Sequence, residues 1–227
     1  MEYFNLAKTK DGFHVEDFPN AVKVIQINRP QSKKLADLFL HRNDLEFSLK
    51  SLEEINCVPD QSNFLRQALW RSAIVHYLKC FGDNKARFNL DSKKIYRKEE
   101  PIAIENFEYF RNLRNKHVVH DENSYSQSIP GAILNKQNHP YKIEKIVCFA
   151  ITVETLTQEN YSNLHMLIKV ALTWIVSEFD GLCEILTKEL ESKSYETLIQ
   201  MPNMKPRTPT IDEVKNNRLE NKPHASG

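Results

Sequence analysis

Apolar residues recur at helical spacing over six turns between residues 160 and 190, and this periodicity constrains the fold more than any other feature. The stripe consists of Leu164, Ile168, Ala171, Ile175, Phe179, Leu182 and Leu186. A stripe with this period marks one face of an amphipathic helix that packs on a core. The sequence therefore predicts a long helix over about 160–190, with Gly181 as the place where it bends.

Three further helices are predicted upstream, over about 33–56, 61–81 and 101–120. The first carries one leucine stripe, made of Leu35, Leu38, Leu45, Leu49 and Leu52. The second is apolar on two faces, one with Phe64, Leu65, Ala68 and Leu69 and the other with Trp70, Ile74, Tyr77 and Phe81. A helix that is apolar on most sides is usually central, so the second helix is predicted to lie in the middle of the domain.

Two β elements and a tail complete the predicted organisation. The alternation in "AVKVIQI", within residues 12–28, predicts a short N-terminal strand. β-Branched residues in "GAILN" and "IEKIVCFAITV" predict a hairpin insertion over 131–153, with a buried helix beginning at Ile146 as the alternative. From Met201 the chain is rich in Pro, Asn and charge, which predicts a disordered tail over 201–227. We therefore expect one mainly α domain over 1–200, an antiparallel bundle of four to five helices with a small β-hairpin appendage.

Composition excludes several classes of function. The chain has only 5 glycines and contains neither G-x-x-x-x-G-K nor G-x-G-x-x-G, so the common nucleotide-binding loops are absent. The four cysteines, Cys57, Cys80, Cys148 and Cys183, are too far apart for a metal motif. They are typical of reduced, mostly buried thiols in a cytoplasmic protein. We expect no metal, no cofactor, no signal peptide and no membrane association.

The stretch "RNLRNKHVVH", residues 111–120, is unusual because it ends a helix that begins with two apolar stripes. One stripe, through Phe107 and Phe110, continues into Arg114 with His117 at its edge, and the other, through Leu113, continues into His120. Two structural explanations exist. The helix can emerge into water at its basic end. Alternatively, Arg114 can pair with a core carboxylate on the first predicted helix, such as Asp37, Asp44 or Glu53.

A catalytic explanation is that the same side chains cleave RNA. Attack of a ribose 2′-OH on the adjacent phosphate needs proton transfer and stabilisation of charge at phosphorus. Histidine titrates near neutrality and can act as general acid or base. Arginine offers a fixed charge and a donor fork that matches phosphate oxygens. Arg and His beside an amide are therefore sufficient without a metal ion.

These residues resemble the R-x4-6-H motif of HEPN-domain proteins, in which a polar residue, often Asn, follows the Arg. Arg114 and Asn115 fit with His120, and "RNKHVVHDE" is similar to the end of the motif in many bacterial members. Arg111, Asn112 and His117 fit the same pattern one turn earlier and form an alternative frame. We prefer the first frame, with Arg114, Asn115 and His120 as catalytic residues. The departure at position 122, which is Glu, argues against the branch with an R-x4-H-x-Y motif.

The resemblance implies a helical bundle and a metal-independent endoribonuclease, acting as a toxin or phage-defence effector. It also implies a homodimer with the two motifs facing each other, RNA as substrate and a cognate antitoxin protein as a further partner. A second apolar stripe on the third helix would suit such a dimer. Some members of the family are catalytically silent, so a helical module that binds RNA, nucleotide or a protein partner is the alternative.

Basic residues outside the motif are candidate RNA contacts. They are Lys116 within the stretch and Lys85, Arg87, Lys93 and Lys94 in the loop "DNKARFNLDSKKIYRK". Phe88 and Tyr96 interleave with these charges and could stack on bases, although a plain solvated loop is the simpler interpretation. A second polar cluster on the first predicted helix consists of His41, Arg42, Asn43 and Asp44. It could lie near the site, although a solvated helix face is the simpler interpretation.

Overall fold

The computed structural model of the chain describes residues 6–9, 12–15, 17–59, 61–83, 86–204 and 208–216, with side chains from residue 15 onward. The described chain is mainly helical and divides into two compact units. The first unit comprises Met1–Asp44, Phe81–Leu90 and Leu172–Gly227, and the second comprises Leu45–Cys80 and Asp91–Ala171.

Six α-helices and two β-hairpins make up most of the described chain. The helices are α1 (Pro30–Ile55), α2 (Asn63–Lys79), α3 (Ser92–Ile95), α4 (Ile102–Leu113), α5 (Gln158–Glu191) and α6 (Tyr195–Gln200). The strands are β1 (Leu6–Thr9) paired with β2 (Gly12–Val15), and β3 (Ser126–Leu134) paired with β4 (Ile143–Thr152), both antiparallel. A 3-10 helix covers Ile211–Lys215. The helical character and the small sheets agree with the predicted fold class, and α5 continues as a helix through Gly181.

In the first unit, the predicted strand over 21–27 is wrong. These residues form a single bridge, between Ile25 and Asn203, and two flanking backbone hydrogen bonds to Pro202 and Met204. Pro202 has no N–H to donate, which limits the ladder. The composition of the tail did not predict this pairing. Lys23 adds two hydrogen bonds of 2.8 Å, from its Nζ to the carbonyls of Ile199 and Met201.

The second unit has a core of aromatic and aliphatic side chains from four helices. The buried residues are Leu45, Leu52 and Ile55 of α1, Trp70, Ala73, Ile74 and Tyr77 of α2, Ala103, Phe107, Phe110 and Leu113 of α4, and Leu164, Leu167, Ile168 and Ala171 of α5. The predicted Trp70 face of α2 therefore packs inward. The predicted Phe64 face does not, because Phe64 is 87% exposed.

Buried hydroxyl and indole groups in this core are paired. The phenol oxygens of Tyr77 and Tyr96 lie 2.6 Å apart, and Tyr96 also donates to the carbonyl of Leu167. Trp70 donates its indole N–H to Thr155 at 3.0 Å. The proposed role of Tyr96 in stacking on bases is therefore wrong, and so is a plain solvated loop at this position, because the ring belongs to the core.

The hairpin of β3 and β4 begins five residues earlier than predicted and ends one residue earlier. It starts in the polar sequence "SQS", where the backbone ladder continues although the side chains no longer show a strand pattern. The pairs run from Ser126 opposite Thr152 to Leu134 opposite Ile143, with an irregularity between Ile133 and Leu134. The alternative of a buried helix at Ile146 is wrong, since Ile146 lies in β4.

Candidate functional site

The α-helical hydrogen bonding of α4 ends at Leu113 and gives way to a π-helical turn, Arg114–Val119. The turn has the sequence "RNKHVV" and replaces the last part of the predicted helix over 101–120. The backbone becomes extended at His120, with φ −122° and ψ 146°. The N–H of Glu122 then reaches back to the carbonyl of Lys116 at 2.9 Å. π-Helical turns are rare and occur frequently at functional sites, so this turn is the first candidate.

Arg114 and Asn115 are joined at the start of the π-helical turn. The Arg114 Nη1 donates to Asn115 Oδ1 at 2.8 Å, and both side chains are half-buried. Arg114 Nε is buried, and no described residue provides it with a hydrogen-bond acceptor. A buried donor without an acceptor costs roughly 1–3 kcal/mol, more on a charged group, which makes such a group a candidate for binding a ligand.

His117 lies three residues further along the same turn and is also half-buried. Its ring centroid is 5.6 Å from that of Tyr125, in an edge-on arrangement. His117 Nδ1 is buried and likewise lacks a hydrogen-bond partner among the residues that the structure describes. Two nitrogen atoms of one turn are thus left with unused hydrogen-bonding capacity.

A phenol with a raised pKa lies in the same unit. Burial is the main cause of the raised Tyr109 pKa, and the nearby phenol of Tyr125 adds to it. Asn160 Nδ2 donates to Tyr109 Oη at 3.1 Å, and this hydrogen bond lowers the Tyr109 pKa. The same Nδ2 also donates to the carbonyl of Thr155 at 2.9 Å. Sequence reasoning did not identify Asn160, since only the tertiary fold brings α5 to this position.

The two predicted Arg/His frames are distributed unevenly between the turn and the surface. Arg111 and Asn112 are exposed, and Arg111 forms an ion pair of 2.7 Å with Glu108 one turn earlier. His120 is exposed beyond the end of the turn. The half-buried members are Arg114 and Asn115 of the preferred frame and His117 of the alternative one.

The predicted RNA contacts also differ in exposure. Lys116 is exposed on the π-helical turn, and Lys93 and Lys94 are exposed on α3, where their N–H groups are capped by Asp91. Arg87 has a side chain only 7% exposed and an ion pair of 2.7 Å with Asp44, so little of its charge faces solvent. Lys85 lies outside the described residues.

A second polar cluster is built in the first unit by α1 and the segment 86–90. His41 is fully buried, its Nε2 donates to the Phe88 carbonyl at 2.8 Å, and its ring lies 5.1 Å from the Phe88 ring. Burial and then the neighbouring Arg87 lower the His41 pKa to about 4. The interpretation of this cluster as a solvated helix face is therefore wrong.

An open cavity of about 430 Å³ borders this cluster. Its lining consists of Pro30, Lys33, Lys34, Asp37, Arg87 and Phe88. Lys34 is already paired with Glu178 at 3.0 Å, and the N–H of Phe88 is directed at Asp37 at 3.4 Å. The lining carries charges of both signs, and two of its cations, Lys34 and Arg87, are paired with carboxylates outside the lining. This is the pattern of a structural network rather than of a site selective for one ligand charge.

No protein-family model, no curated protein and no solved structure matches this chain. Within the described residues, no three His, Cys, Asp or Glu side chains are grouped so that they could hold a metal ion. None of the helices described is both long enough and apolar enough to cross a membrane.

Proposed function

We propose that this chain is a metal-independent endoribonuclease of the HEPN type, built on an antiparallel helical bundle and cleaving RNA by attack of the ribose 2′-OH. The observation that carries the proposal is the π-helical turn Arg114–Val119. It holds an arginine, an amide and a histidine half-buried together, with one nitrogen each of Arg114 and His117 lacking a partner among the described residues. A phosphate oxygen is an acceptor that suits both.

Arg114 binds the scissile phosphate and the negative charge that develops on it. Asn115 holds one arm of the guanidinium at 2.8 Å, so the fork is oriented before the substrate arrives. Cleavage requires a base that takes the 2′-OH proton and an acid that protonates the departing 5′-oxygen, leaving a 2′,3′-cyclic phosphate. His117, within the turn, and His120, just beyond its end, serve these two steps. Exposed Lys116, Lys93 and Lys94 are the proposed contacts to neighbouring phosphates.

The test is cleavage of single-stranded RNA in EDTA, followed by identification of the product end group. Arg114→Ala removes phosphate stabilisation of about 3 kcal/mol, so we expect cleavage to slow by roughly a hundredfold or more. His120→Ala and His117→Ala each remove proton transfer, with an expected loss of roughly 10²–10⁴-fold. Asn115→Ala should cause a smaller loss, because the amide only orients the arginine.

Arg111→Ala is the matched control, because Arg111 is an arginine of the same helix end that is exposed and paired with Glu108. It should cleave RNA at the wild-type rate. Cleavage that depends fully on an added metal ion contradicts the mechanism. Loss of cleavage in Arg111→Ala with retention in Arg114→Ala assigns the site to the alternative frame.

The alternative function is a catalytically silent HEPN module that binds RNA, nucleotide or a protein partner. The position of His120 favours it, because an exposed histidine on extended backbone is less firmly held than one inside a helix. In this case RNA binding, measured by fluorescence anisotropy, should be weakened by Arg114→Ala and unaffected by His120→Ala, while the RNA stays intact.

The biological setting that we propose rests on the family resemblance. It is a cytoplasmic toxin or phage-defence effector, with RNA as substrate and a cognate antitoxin as partner. The four free cysteines support a reducing compartment. A homodimer is part of the proposal, although α4 offers little apolar surface for it beyond the exposed Ile102, since Leu113 is buried and Tyr109 is half-buried.

A further inference from the structure

The hairpin of β3 and β4 exposes apolar residues on both of its faces. Apart from Ser126, Gly131 and Val147, every residue of the two strands is exposed. Seven large apolar side chains are 45–73% exposed: Ile129, Ile133, Leu134, Ile143, Ile146, Phe149 and Ile151. A two-stranded hairpin is marginally stable in water by itself, and a sheet with an apolar face needs three or more strands for independent stability.

The two edges of this hairpin are chemically different. The N–H of Val153 donates to the carbonyl of Tyr125 at 2.8 Å, which fixes the alternation of hydrogen-bonded pairs along the register. Pro130 and Cys148 then form a pair whose backbone groups point away from the partner strand. The outer edge of β3 therefore lacks a donor at Pro130, which blunts it. The outer edge of β4 presents the N–H and C=O groups of alternate residues, including Ile146, Cys148 and Ala150, with no proline in the strand.

We propose that β4 pairs antiparallel with β4 of a second copy of this chain, about a two-fold axis, to give one four-stranded sheet. The strands of the hairpin carry only two charges, on adjacent Glu144 and Lys145, which cancel. A nucleic acid would require an excess of basic residues, and a charged protein partner would require a complementary charge. A neutral, apolar edge is complementary to itself.

The blunted β3 edge explains why such an assembly stops at two copies. Each hairpin has one edge suited to pairing, so two copies use both of these edges and close a two-fold dimer instead of an open filament. The paired hairpins form a sheet of four strands, which exceeds the three strands that an apolar sheet needs for independent stability.

The first experiment is sedimentation velocity of the full chain and of two proline variants. Ser128 and Ala150 are opposite each other in the register, in a pair whose N–H groups both point outward, so a proline at either position spares the ladder within the hairpin. The wild-type chain should sediment as a dimer of twice 26.6 kDa. Ala150→Pro removes a donor from the pairing edge and should weaken the dimer by a hundredfold or more. Ser128→Pro, the matched control on the blunted edge, should remain a dimer.

The second experiment uses Cys148, which is exposed midway along β4. In the proposed dimer it would lie close to Cys148 of the second copy. A short bis-maleimide should link two wild-type chains and two Cys57→Ser chains but not two Cys148→Ser chains. A monomeric wild-type chain, a dimer that survives Ala150→Pro, equal behaviour of the two proline variants, or no link through Cys148 each overturns the proposal. Circular dichroism and thermal melts establish that the helices of the variants are intact. The inference does not depend on the proposed ribonuclease activity, since RNA cleavage and dimerisation are measured separately.

Discussion

We expect the free energy of unfolding to fall as the pH drops from about 6.5 to about 4, with His41 responsible for about 2 kcal/mol of the fall. Burial and then Arg87 lower the His41 pKa from 6.5 to about 4. The unfolded chain takes up a proton on the same imidazole near the ordinary pKa of about 6.5. The contribution of neutral His41 is therefore fully present above that pH and is lost as the pH falls between the two pKa values.

The magnitude follows from the gap between the two pKa values. Each pKa unit corresponds to 1.36 kcal/mol, which gives roughly 3 kcal/mol as an upper limit. The adjoining cavity admits solvent, which screens part of this effect, so we expect about 2 kcal/mol.

The assay for His41 is urea unfolding at about pH 7.5 and about pH 4.5, for the wild type and for His41→Gln. The Gln amide can still donate a hydrogen bond to the Phe88 carbonyl but does not titrate. The wild type should lose about 2 kcal/mol more than the variant between the two pH values. An equal loss in both chains would refute the argument, whatever the absolute stability of His41→Gln.

Two further predictions concern buried polar pairs. Arg87→Met leaves the carboxylate of Asp44 buried without its ion-pair partner and should cost about 3–5 kcal/mol in chemical denaturation, whereas the double variant with Asp44→Leu should recover most of that loss. Tyr96→Phe removes the hydroxyl that contacts Tyr77 and should cost about 1–3 kcal/mol, seen as a lower urea midpoint with an unchanged slope.

The long helices could be predicted from the sequence because their signal is repeated. The predicted helices over 33–56, 61–81 and 160–190 agree with α1, α2 and α5 to within three residues at each end. Each of these helices has an apolar stripe that packs on a core for several turns, so every turn adds to the same pattern. Their ends were less accurate; α1 begins at Pro30, since proline suits the first position of a helix.

The features that the sequence did not predict depend on residues far apart in the chain. Ile25 pairs with Asn203, and His41 is buried by Phe88 and Arg87, so neither arrangement is visible within a short window. A helical wheel places His41 on a polar face and cannot show that another segment covers it. The thiols illustrate the same point: Cys80 is buried as expected, but Cys57 and Cys148 are exposed.

The π-helical turn changes how the polar end of the third predicted helix is understood. A regular wheel separates Arg114 and His120 by about 120°, but that angle does not apply once the hydrogen bonding changes at Arg114. Emergence into water accounts for Arg111 and His120, which are exposed. A buried ion pair is found instead between Asp44 and Arg87, and the guanidinium of Arg114 is bonded to Asn115.

Neither structural explanation therefore accounts for a half-buried Arg114 whose Nε has no acceptor among the described residues. Water reaches an exposed helix end and satisfies its donors, whereas this nitrogen is buried. Leaving it so costs stability, and the chain would gain by placing an apolar residue there unless the guanidinium binds something. An anion held by Arg114 beside His117 removes that cost, which is why the RNA phosphate is the ligand that we propose for this turn.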